Sequence, residues 1–191
     1  MDSWDESAAD VAITGLVRCA SAHEIFETLC RYGIRDFREL GHKLIYICNA
    51  FRTLEVIGWE HAEPVLRGVT YALLDRVGDP NPSKSDLPAD RPFRRNLTTV
   101  RQIRADWMAG TANPGATKEL LMATRSGSAI DASTTLMGLL NRGIHVNSVI
   151  DGLHVAAGEL LMRQPGIFAL HAHTFTNAVH YAWRHVRDDE T

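Results

Sequence analysis

The sequence is poor in the features that mark most specialised protein classes. It holds three cysteines, Cys19, Cys30 and Cys48, widely spaced and with no C-x-x-C pair. That count argues against a disulfide framework and points to reduced thiols in a cytoplasmic setting. The formal net charge of −3 leaves no basic footprint, so no nucleic-acid partner is expected. No apolar run approaches the roughly 20 residues of a membrane span. The N-terminal stretch Met1–Glu6 is acidic and lacks an apolar segment, so no secretory signal is expected. Period-two alternation between turn signals is missing, which argues against strands. Internal repeats and low-complexity tracts are missing as well.

What remains is helical periodicity. In Leu44, Ile45, Cys48, Phe51, Leu54 and Ile57 apolar residues recur at three-and-four spacing. Gly58 interrupts, and Val65, Leu66, Val69, Ala72 and Leu73 resume the period, so two helices meet at a corner around Ile57–Glu60. Pro64 fits the first turn of the second, which places His61 at or near a helix N-terminus. Before this pair, residues 7–19 form a modest helix. Ser21 and Glu24 make a capping box for a helix through Cys30 that Gly33 should end.

Residues 78–92 hold four of the seven prolines and read as a surface loop. A helix is expected over Phe93–Ala109. Asn113-Pro114 opens another, and Ser128 with Asp131 opens a third that closes at Gly143. His145–Met162 and Ile167–Val186 complete the chain. The expectation is an all-α single domain, residues 1–191, of eight or nine helices.

Nine histidines is a high count, and four of them fall in the last 21 residues. A transition-metal site needs three or more neutral imidazoles or carboxylates converging at about 2.0–2.2 Å from the ion. Helical bundles build such sites from inward side chains on separate helices. His42, His61, His154, His171 and His180 are the expected ligands. His173 is the alternative to His171, since the two lie about 200° apart around one helix. Glu60, Glu63 and Glu159 are the available carboxylates. There is no H-E-x-x-H and no pair of E-x-x-H motifs, so a mononuclear site is expected rather than a dinuclear one. Tyr46 and Asn49 are placed to contact substrate, and Tyr181 could orient a polar one. His23, His145 and His185 read as structural or exposed. Arg52 and Arg67 would pair with Glu55, Glu60 or Glu63.

Two segments resemble a known family. Gly41-His42-Lys43-Leu44-Ile45-Tyr46, followed by Asn49-Ala50, resembles the histidine motif of the questin oxidase-like proteins. His171-Ala172-His173-Thr174 resembles their later His-x-x-Thr segment. The resemblance implies an all-helical, histidine-ligated non-haem Fe(II) oxygenase that uses dioxygen on an aromatic polyketide-like small molecule, as in secondary metabolism. A short chain of this kind would use a homo-oligomeric partner to complete its pocket. Two other readings stay open: a non-catalytic helical binding or assembly protein, and an HD-like metal-dependent phosphohydrolase, against which the missing His-Asp dipeptide counts.

Overall fold

The structure, a computed structural model, describes residues 1–75, 79–82 and 84–188. Among these it has nine α-helices and no strand. They are α1 Glu6–Cys19, α2 Ala22–Ile34, α3 His42–Ile57, α4 Ala62–Leu73, α5 Arg91–Thr99, α6 Pro114–Ser126, α7 Ala129–Asn141, α8 Val146–Arg163 and α9 Ile167–His185. Among the described residues no helix is long and apolar enough to cross a membrane. The chain divides into two compact units, Met1–Phe93 with Ala178–Thr191, and Arg94–Asn177.

In the first unit α1 packs on α4, α2 on α3, and α3 on α4. Ile25, Phe26, Leu44, Ile47, Cys48, Phe51, Leu54 and Leu66 form its core. The capping box at Ser21 and Glu24 is present, each side chain taking the other residue's backbone N–H. Gly33 does not end α2, which runs on to Ile34. An added Cβ there would lie 2.5 Å from Ile47 Cδ1 and 3.3 Å from the Leu44 backbone. Gly33 is therefore a point of close approach between α2 and α3, where a methyl group would have to push Ile47 and the Leu44 backbone aside. At the corner, Gly58 has φ +100° and ends α3; a 3₁₀ turn Trp59–His61 leads into α4. His61 is the N-cap of α4 and Pro64 lies in its first turn, as the sequence requires.

Two buried ion pairs tie loops to this core. Lys43, 1 % exposed, donates from Nζ to Asp36 Oδ2 at 2.7 Å, to the Leu73 carbonyl at 2.7 Å and to the Asp75 carbonyl at 3.1 Å. It thereby clamps the start of α3 to the end of α4. Arg38 donates to both carboxylate oxygens of Asp90, which also accepts from Ser85 Oγ at 2.6 Å. The proline-rich stretch is consequently more than a surface excursion. Of its described residues, Asn81, Ser85 and Asp90 are buried, while residues 78 and 83 lie outside the described set.

In the second unit α6 packs along α8 and α7. Gly152 on α8 lets the two helices approach: a Cβ there would meet the Thr117 carbonyl and Leu120 at 3.2 Å. The expected N-caps form at Asn113 and Ser128, and His145 Nδ1 accepts from the Asn147 N–H at the start of α8. The helix expected over Phe93–Ala109 is corrected. The segment is helical from Arg91 to Thr99, passes through a 3₁₀ turn Val100–Gln102, and is extended at Ile103. The reason is Asn141, whose side chain accepts the Arg104 N–H at 2.8 Å and donates to the Gln102 carbonyl at 3.0 Å. A side chain from α7 takes the groups that a continuing helix would have paired.

Candidate functional site

The expected metal ligands lie in both units, and each has its own local setting. In the first unit, His42 stacks on Tyr46 one turn later, centroids 5.4 Å apart and planes 11° from parallel. His61 is exposed at its N-cap position. His180 stacks on Trp183 at 5.9 Å. In the second unit, His154 meets His173 edge to face at 6.1 Å, while His171 Nδ1 contacts the Ile167 carbonyl at 2.6 Å within its own helix. Of the two alternatives on α9, His173 is the one beside His154.

Iron would need at least three converging donors. Among the described residues no group of three or more His, Cys, Asp or Glu side chains is placed to hold a metal ion. Nor do the candidate carboxylates supply the missing ligands: Glu63 is paired with Arg18, and Glu159 with Arg125 and Arg163. Tyr46 is 38 % exposed beside His42, with its phenol held above its ordinary value by partial burial and by the Glu39 and Asp75 charges. Asn49 accepts from Arg52 Nη1 at 3.0 Å on the surface of α3. Arg67 makes a two-pronged pair with Asp10 of α1 instead of the expected glutamates.

What the first unit does assemble is an aromatic pocket of about 250 Å³. Its floor is Phe26, Phe51 and Leu54, all buried, with Trp59 to one side and Tyr181 and His185 of α9 on another. Phe26 contacts Phe51 edge to face at 4.8 Å and Tyr181 at 5.7 Å. Tyr181 is the organising residue. His185 stacks on its ring at 3.9 Å, the Arg52 guanidinium lies 4.4 Å from its centroid, and its hydroxyl donates to Glu55. Burial and the Glu55 carboxylate push the phenol strongly upward, which keeps it a donor. His23 Nε2 faces Glu27 Oε1 at 3.2 Å on a further side of the pocket.

The protons here can be placed by valence. His185 Nδ1 lies 2.7 Å from the Tyr181 carbonyl, which can only accept, so Nδ1 carries a hydrogen. In the neutral ring Nε2 is then a lone-pair acceptor, and it faces Glu55 Oε1 at 3.9 Å. With the His185 ring neutral, the pocket presents two acceptors, close together, at its partly exposed edge, and Glu55 Oε1 also takes the Tyr181 hydroxyl. Sequence reasoning set His23 and His185 aside as structural, although both line this pocket. The available signal was the four-residue spacing of Tyr181 and His185, which puts both rings on one face.

No protein-family model matches the chain, and neither a curated protein nor a solved structure matches it significantly. The histidine-motif resemblance rests on its two short segments alone.

Proposed function

We propose that the chain is a non-catalytic, helical small-molecule-binding protein whose first unit takes an aromatic ligand of one or two rings carrying an O–H or N–H donor. The observation that carries this reading is the acceptor pair, His185 Nε2 and Glu55 Oε1 at 3.9 Å, at the edge of a pocket walled by Phe26, Phe51, Trp59 and Tyr181. Flat apolar walls select a ring, and two adjacent acceptors select a donor on it. The volume sets the size: about 250 Å³ is below the range of roughly 300–1,000 Å³ usual for drug-sized ligands. Three free cysteines support a reducing, cytoplasmic setting.

The test is calorimetric titration of the full chain with 2-naphthol and with its methyl ether, which lacks the donor. Binding of 2-naphthol is expected, weakened at least about tenfold in the ether and in Glu55→Ala, and lost in Trp59→Ala. Absence of binding by both probes, or binding indifferent to Trp59→Ala, would overturn the reading.

A further inference from the structure

The second unit holds a larger groove, of about 450 Å³, that owes nothing to the aromatic pocket. Its walls come from α6, α8 and α9. The floor is apolar and made of small side chains, with Leu153, Ala156, Ala157, Leu160 and Ala172 facing it. One rim is charged, and the count of charges there is uneven. Glu159 Oε1 accepts from Arg125 Nε at 2.7 Å and is ion-paired with Arg163 Nε at 3.0 Å, and its other oxygen accepts from Arg125 Nη2. Two guanidiniums thus share one carboxylate, leaving a surplus of one positive charge.

That surplus sits on Arg163. Its Nε is engaged by Glu159, but its terminal nitrogens make no hydrogen bond among the described residues, and the side chain is 67 % exposed. Arg125, by contrast, spends both its Nε and Nη2 on Glu159. The Arg125 guanidinium, then Arg163, hold the Glu159 carboxyl below its ordinary value, so the shared anion stays charged and the surplus persists at neutral pH. Gln164, next in sequence, adds an exposed amide at the same rim.

We infer that this groove binds a free amphipathic carboxylate, with its chain on the alanine and leucine floor and its head paired to the terminal nitrogens of Arg163. A guanidinium with its fork open pairs with a carboxylate through two parallel N–H donors. The small floor residues leave room for an unbranched chain, whose burial supplies most of the affinity.

The test titrates the full chain with decanoate, below its micelle concentration, and with decanol in parallel. Decanoate is expected to bind at least about tenfold more tightly than decanol. Arg163→Gln should erase that preference while leaving the helical circular dichroism and the melting temperature unchanged. Ala156→Trp, which fills the floor, should remove binding of both. Trp59→Ala, in the other unit, should alter neither. Equal binding of decanoate and decanol, binding of neither, or a preference that survives Arg163→Gln would overturn the inference. Loss of decanoate binding in Trp59→Ala would assign the ligand to the aromatic pocket and overturn it too.

Discussion

Lys43 and Asp36 form an ion pair at 2.7 Å with side chains 1 % and 2 % exposed. The ammonium is fully served, because the Leu73 and Asp75 carbonyls take its other two protons. Asp36 also accepts the Arg38 N–H at 3.2 Å. Removing one partner of such a pair leaves the other charged and dry, without its counter-charge. Lys43→Met should therefore cost about 3–5 kcal/mol in urea unfolding, whereas Lys43→Met with Asp36→Leu should cost clearly less. Equal losses in the single and double variants would show that the pair is not coupled.

Gly33 and Gly68 are both helical glycines, yet they should respond oppositely to alanine. At Gly33 the new methyl meets Ile47 and the backbone of Leu44, so Gly33→Ala should destabilise by about 1–2 kcal/mol. At Gly68 nothing lies within 4 Å of the added carbon. There the gain in helix propensity is unopposed, and Gly68→Ala should stabilise by about 0.5–1 kcal/mol. Thermal and urea unfolding of the two variants check the opposite signs.

The thiols should separate by accessibility. Cys19 is exposed, while Cys30 and Cys48 are buried in the first unit's core. Burial pushes the Cys48 thiol up to about 12, and raises Cys30 further still. Cys48 Sγ also donates to the Ala178 carbonyl at 3.3 Å. Ellman's reagent at pH 8 should thus titrate one thiol quickly in the folded chain and the other two on unfolding. Fast reaction of all three would mean that the core around α2 and α3 opens readily.

Metal content discriminates the binding reading from the oxygenase reading. With no converging donor set among the described residues, protein purified without a metal-affinity step should carry no stoichiometric iron and take none up from anaerobic Fe(II). Iron near one equivalent, lost in both His42→Ala and His61→Ala, would restore the oxygenase reading.

The central corner was legible in the sequence because local rules suffice there. Gly58, His61 and Pro64 each occupy the place that backbone conformation assigns them. The caps at Ser21, Asn113 and Ser128 follow from hydrogen bonds that close within four residues. The aromatic pocket was not legible, since Phe26, Phe51 and His185 come from three helices far apart in the chain. The expected histidine set depends on the same kind of information, because shared apolar periodicity does not by itself bring side chains from different helices together.

The sequence alone determined the helical class, the helix starts and most of the helix ends, all governed by periodicity and by short-range capping. Tertiary structure decided which polar residues are inside. Lys43 shares a helix face with Ile47, Ala50 and Leu54, and so points inward beside a half-buried His42. The carbonyls at the end of α4, the Asp36 carboxylate and the Trp4 ring, 5.2 Å from the ammonium, make that burial tolerable, and their arrival depends on chain segments that no local pattern brings together.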